Sequence, residues 1–282
     1  MYFTTASGKT AGPVGQGTWD LGEHSATFQA ERAALRTGIE AGMTLIDTAE
    51  MYGDGAAERL VGAAIQGFQR EDLFLVSKVY PHNAGRRGIF KSCEASLRRM
   101  GTDYMDLYLL HWRGSVPLAE TAACMEELKE QGRIRAWGVS NLDAADIKEL
   151  LSVKNGAHCA ANQVLYHLGS RGIEFDLLPL LRKHNIPVMA YCPLAQAGRL
   201  RRGLLESPAV LEIAAARSAL PAQILLAFLL AKPGVIPIPR TGNASHTLEN
   251  AGAAQIKLSG EELAALDRAF PAPTRKVPLD IQ

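Results

Sequence analysis

Asp47, Tyr52, Lys78 and His111 stand at or just beyond the downstream ends of three apolar, strand-like runs: Thr44-Leu45-Ile46, Leu73-Phe74-Leu75-Val76, and Tyr104 through Leu110. An acid, a phenol, an amine and an imidazole so placed converge on one mouth if the three strands lie parallel. That is the equipment of a proton-donating carbonyl site. An aspartate beside a sparingly exposed lysine keeps the ammonium charged, because the pair offsets desolvation. A phenol next to that ammonium loses its proton more easily. Free tyrosine titrates near about 10, and a close opposite charge moves a pKa by roughly 1–3 units. Tyr52 is thereby a candidate general acid, and His111 a candidate donor that orients a carbonyl oxygen. Taken singly, each has a plainer reading: a structural ion pair, a core tyrosine, a strand-capping His111-Trp112. Their shared location favours chemistry.

The elements that must position them alternate almost from end to end. A short strand near Val14–Gly17 precedes a helix over Thr27–Ala41, whose Ala30, Ala33, Ala34 and Ala41 recur at helical spacing, and Gly42 stops it. Strand Met43–Ile46, helix Glu58–Phe68, strand Leu73–Val79 and helix Arg87–Met100 follow, the last ended by Gly101. Strand Tyr104–His111, helix Pro117–Gln131, strand Ile134–Val139 and helix Asp143–Leu151 continue the pattern, with Asp143 as N-cap. Strand Cys159–Gln163, helix Leu177–Asn185, strand Ile186–Tyr191, helix Pro221–Ala231 and strand Val235–Ile238 come next. Helices over Ser245–Ala254 and Ser259–Phe270 close the series.

Roughly eight βα units without a linker predict one domain over residues 1–282, an α/β fold of the (β/α)8 TIM-barrel type, typically about 250 residues. The rival is a doubly wound sheet with a dinucleotide fingerprint. Gly53-Asp54-Gly55 is its nearest candidate, and Glu58 occupies the third glycine's place, so these glycines read as a flexible loop before a helix.

Composition narrows the partners. The 282 residues are 47% hydrophobic, enough for a large core, and 30 Lys+Arg against 29 Asp+Glu leave a net charge of +1 without a long run of one sign. Nucleic-acid and membrane surfaces therefore have no electrostatic support. The longest apolar stretch, Leu220 to Ala231, falls short of the ~20 residues of a spanning helix. Cys93, Cys124, Cys159 and Cys192 match no metal-ligand spacing, and no metal is expected. The start, Met1-Tyr2-Phe3-Thr4-Thr5, lacks a basic flank and an apolar signal core, so a reduced cytoplasmic protein is the expectation.

Eight motifs, in order along nearly the whole chain, resemble those of the aldo-keto reductases. They are Gly17-Thr18-Trp19, Leu45 through Tyr52, Ser77-Lys78-Val79, Leu109-Leu110-His111-Trp112, Gly138-Val139-Ser140-Asn141, Asn162-Gln163, Tyr191-Cys192-Pro193-Leu194 and Ile238-Pro239-Arg240-Thr241-Gly242-Asn243. Within that family, Tyr166 through Glu174 and Pro193 through Gly198 are most similar to bacterial reductases of methylglyoxal and similar small aldehydes.

The resemblance implies Tyr52 as acid, Lys78 and Asp47 as its tuning pair, and His111 as the residue that orients the carbonyl. It adds NADPH (NADP+ after turnover), bound without a Rossmann domain. Gly17, Thr18, Trp19 and Asp47 would then lie along the cofactor. Ser140, Asn141 and Gln163 match positions that hold the nicotinamide carboxamide. Tyr191 matches the stacking ring, and Leu194, with its neighbours Cys192 and Gln196, matches the pyrophosphate loop. Ile238, Pro239, Arg240, Thr241, Gly242 and Asn243 mark the adenosine end. Arg240 replaces the usual lysine, which should preserve a grip on the 2′-phosphate unless it is a solvated surface charge. His246 replaces an arginine that often packs on adenine, while Glu249 and Asn250 suit adenine contacts. Cys192 stands where many members carry serine, and quiet packing is favoured over an oxidisable thiol.

Trp19, Tyr52, His111 and Trp112 would line the substrate pocket with aromatic surface, suited to a small carbonyl substrate. The loop after His111 is short, which leaves the site open, and its Arg113 either draws an anionic substrate or is solvated. The tail from Pro271 to Gln282 either covers the barrel or lies free. A monomer is the expected state. A non-catalytic nicotinamide-sensing barrel is the alternative, disfavoured because a sensor needs no acid.

Overall fold

The computed structural model describes residues 3–282; Met1 and Tyr2, the first residues of the stretch read for a leader, lie outside them. Eight strands form one sheet in chain order, every neighbouring pair parallel. They are β1 (Gln16–Gly17), β2 (Leu45–Asp47), β3 (Phe74–Val79), β4 (Met105–Leu110), β5 (Ile134–Ser140), β6 (Asn162–Leu165), β7 (Val188–Tyr191) and β8 (Val235–Pro237). Backbone bonds from Gly15 N to Pro237 O and Gly17 N to Pro239 O, both 2.9 Å, and a parallel bridge between Gly17 and Arg240 join the first strand to the last. The sheet is therefore a closed (β/α)8 barrel, which removes both edges.

The helices between the strands are α1 (Phe28–Glu40), α2 (Ala56–Ile65), α3 (Ile89–Met100), α4 (Leu118–Glu130), α5 (Ala144–Ser152) and α6 (Leu177–Lys183). Three follow β7, namely α7 (Arg199–Leu205), α8 (Pro208–Ala216) and α9 (Pro221–Leu230), and α10 (Ala244–Gly252) and α11 (Gly260–Ala269) follow β8. Among the described residues no single helix is long and apolar enough to cross a membrane.

Strand periodicity of two divides the interior into two cores. Leu45, Phe74, Val76, Leu107, Leu109, Met189 and Ile236 fill the inside of the barrel, and Phe3 closes its lower end with its ring 4.9 Å from Phe74. Ile46, Leu75, Val79, Tyr108, Leu110, Val139, Val164 and Val188 face the helices. Continuing the inward series one step places Asp47 after Leu45, Lys78 after Val76 and His111 after Leu109, all at the same mouth.

Three expectations need correction. The buried side of α1 is Glu31, Ala34, Leu35, Gly38 and Ile39, while Ala30, Ala33 and Ala41 are exposed. Alanine costs little on either side of a helix, so its spacing does not mark the core. Gly53-Asp54-Gly55 is a defined turn with all three φ angles positive (53°, 53° and 79°), a conformation that favours glycine. Helices α7 and α8 were not anticipated: α7 mixes three arginines with three leucines around Gly203, and α8 is apolar on its exposed side too, at Leu211. Neither shows a clean helical stripe.

Candidate active site

Lys78 is the hub of the mouth. Its Nζ donates to Asp47 Oδ2 at 2.8 Å, Thr48 O at 2.9 Å and Tyr52 Oη at 2.9 Å. An ammonium has three hydrogens and all three are placed; a neutral amine would leave one acceptor unserved. Asp47 takes a second donor, Gln163 Nε2, at 2.7 Å on Oδ1. Tyr52 enters from the loop after β2. Because its oxygen accepts from Lys78, its own hydrogen is free for another acceptor.

Burial sets the electrostatics. It raises the Asp47 carboxyl and lowers the Lys78 ammonium, each opposed by the other's charge. It also raises Tyr52 well above its ordinary value, with Asp47, Cys192 and Asp20 adding to the rise. The expected fall of the Tyr52 pKa beside Lys78 is therefore corrected: the depth of the phenol dominates, and the ammonium's charge is answered by Asp47. Tyr52 holds its proton at rest. Burial, with Lys78 nearby, depresses His111 to about 2, so its ring is neutral. His111 meets Tyr52 edge-on with ring centroids 5.7 Å apart, and its buried Nδ1 has no partner among the described residues.

Tyr52 and His111 open into a cavity of about 380 Å³. Of the residues expected there, Gly17, Thr18, Trp19, Asp47, Ser140, Asn141, Gln163, Tyr191, Cys192, Leu194, Gln196, Ile238, Pro239 and Arg240 line it. Lys78 lies beneath, fully buried. Trp112, Thr241, Gly242, Asn243, His246, Glu249 and Asn250 are not in its wall. Trp112 stands beside it, 4.8 Å from the His111 ring by centroid. Asn243 caps α10, its Oδ1 accepting from Ser245 N at 2.8 Å, and Asn250 is buried. Arg113 is held by Glu149 at 2.9 Å, away from the cavity.

Sequence reasoning missed Asp20, Met51, Arg201 and Gln282 at this wall. Asp20 follows Gly17-Thr18-Trp19 directly and pairs with Arg240 at 3.0 Å. Arg201 belongs to the arginine-rich α7. Gln282 arrives on the tail, which crosses the barrel: Lys276 reaches Asp143 and Asp176, and Cys192 Sγ donates to Gln282 Oε1 at 2.8 Å. Cys192 is thus a half-buried thiol at the cavity wall, and burial raises its pKa to about 11. No local signal in a Pro-rich tail marks such a path.

The chemistry of the wall fits a nicotinamide dinucleotide. Gln163 gives its amide nitrogen to Asp47, which directs its Oε1 to other donors, and Ser140 and Asn141 share the wall with it. Tyr191 Oη donates to Asn141 Oδ1 at 2.9 Å, which fixes a half-buried ring at the cavity wall. Two guanidiniums, Arg201 and Arg240, also line the cavity and suit phosphate.

The comparisons with known proteins agree with this geometry. The family model described as "Aldo/keto reductase family" matches residues 13–270. Methylglyoxal reductase YeaE of Escherichia coli K12 is 58% identical over 268 residues, covering 95% of this chain and 94% of that protein. An aldo/keto reductase from Klebsiella pneumoniae, crystallised with NADP and acetate, superposes with a TM-score of 0.95 at 55% identity, covering 99% of this chain and 98% of that one. The thermostable aldo-keto reductase Tm1743, in complex with the inhibitor epalrestat, gives a TM-score of 0.85 at 40% identity, covering 95% and 99%. The chain belongs to the aldo/keto reductase family.

Proposed function

We propose that this chain reduces small aldehydes and ketones, methylglyoxal among them, to alcohols with NADPH, and that Tyr52 is the proton donor. The observation that carries the reading is the Lys78 hub: its third hydrogen goes to the Tyr52 oxygen, which leaves the phenolic hydrogen for a substrate in the cavity. The likeness to a methylglyoxal reductase and to a relative crystallised with NADP supports the substrate class and the cofactor.

When bound, NADPH supplies a hydride to the carbonyl carbon. The residues of the chain do the rest. Neutral His111 donates one ring N–H to the carbonyl oxygen and aims it at Tyr52. As that oxygen gains negative charge, Tyr52 passes it the phenolic proton. Lys78 stabilises the phenolate left behind, and Asp47 holds Lys78 in place and charged. A phenol with a high resting pKa suits this order, since it keeps its proton until a much stronger base forms beside it.

Ser140, Asn141 and Gln163 hold the carboxamide, and Tyr191 packs on the ring. Arg240 takes the 2′-phosphate, exchanging Asp20 for it. We take the chain to act as a single-domain monomer in a reducing cytoplasm, which its four free cysteines suit.

Purified protein with NADPH and a panel of aldehydes including methylglyoxal should consume reduced nicotinamide, read as loss of its absorbance. Binding of NADPH without turnover on any aldehyde would contradict the proposal and leave a non-catalytic nicotinamide-binding barrel.

A further inference from the structure

His167, two residues beyond β6, is a fully buried titratable group that the reduction does not use. Burial lowers its pKa from the ordinary histidine value, so the ring is neutral and one nitrogen carries the hydrogen. Gly169 N donates to Nδ1 at 3.1 Å, which makes Nδ1 the acceptor and assigns the hydrogen to Nε2. That Nε2 is buried without a partner among the described residues. Gln196 faces the ring, and its Oε1 is likewise buried without a partner. A stranded donor and a stranded acceptor are each costly, and a bond between them would satisfy both.

The loop that carries Gln196 needs such a tie. Cys192 and Ala195 both adopt positive φ, 49° and 62°, without being glycine, a conformation that persists only where the surroundings impose it. The His167–Ser170 turn is a firm base for it. Ser170 N donates to His167 O at 2.9 Å, and Ser170 Oγ bonds Asp280 of the tail. A Cβ on Gly169 would stand 3.2 Å from Leu204 Cδ2, so the turn packs directly on α7, the helix that follows the loop.

We propose that His167 is a positioning residue for the dinucleotide: its Nε2–H donates to Gln196 Oε1 and holds loop 192–198 in the form that lines the cleft. The inference rests on the NADPH reading above.

The test is NADPH affinity, measured by quenching of intrinsic fluorescence, in Gln196→Leu, His167→Leu and the double variant. Each single change should raise Kd about tenfold, the equivalent of about 1.4 kcal/mol. The double variant should be no weaker than the poorer single, because both delete one bond. In His167→Leu, kcat at saturating NADPH should stay within about threefold of wild type. His167→Gln, whose amide nitrogen falls near the place of Nε2, should restore Kd to within about threefold. If His167→Leu does not fold, Gln196→Leu and His167→Gln carry the comparison. Unchanged Kd in Gln196→Leu, or losses that add in the double variant, would overturn the role of His167. Wild-type protein that failed to bind NADPH would instead overturn the cofactor reading on which the role rests.

Discussion

At the scale of single residues, the mouth works because depth and pairing act together. His111 shows this most sharply, since its ring is kept neutral to a pKa of about 2 against an ordinary 6.5. Between those values the unfolded chain binds a proton there and the folded chain does not. Stability therefore falls as pH drops below 6.5, by about 1.4 kcal/mol per unit for this group. Urea midpoints of the cofactor-free protein at pH 7 and pH 5 should differ by the equivalent of about 2 kcal/mol more in wild type than in His111→Gln. Equal pH dependence in the two would show that the fold does not depress His111. Asp47, Lys78 and His111 were legible in the sequence because strand alternation fixes which side a strand-end residue faces. The direction of the Tyr52 pKa was not legible. A neighbouring lysine is visible in a sequence, but the depth of a phenol is a property of the packed barrel.

At the scale of elements, the βα alternation was legible from apolar runs of two periodicities, from glycine stops such as Gly42, Gly101 and Gly132, and at α5 from its cap. Asp143 accepts from Ala145 N at 2.7 Å and Asp146 N at 3.0 Å, and Asp146 Oδ2 accepts from Asp143 N. Asp143→Ala should cost about 1 kcal/mol of stability, read as a lower urea midpoint. A midpoint within experimental error of wild type would show that the cap adds nothing. Where the apolar periodicity fails, the elements were missed. Helices α7 and α8 lack a one-sided apolar stripe, and both lie in the long excursion between β7 and β8. The wall residues Arg201 and Gln282 were missed with the segments that bring them. The adenosine end was only partly resolved by motif, since Asn243 spends its side chain on capping α10.

At the scale of the whole molecule, the barrel gives eight strand ends one mouth, and the cavity there joins residues as far apart in sequence as Gly17 and Gln282. A ligand that binds only the folded form stabilises it, by about 2.7 kcal/mol at one hundred times its Kd. NADPH at that excess should raise the melting temperature by roughly 5–10 °C. NADH at the same concentration should raise it less, because Arg240 would have no 2′-phosphate to take. Equal shifts would show that Arg240 does not read that phosphate. The central claim is that the barrel mouth makes Tyr52 a proton donor to a carbonyl. It is tested most directly by the turnover of methylglyoxal with NADPH in Tyr52→Phe. The variant should keep the thermal shift with NADPH while kcat falls by about 10²–10⁴. Turnover within about tenfold of wild type would contradict the assignment.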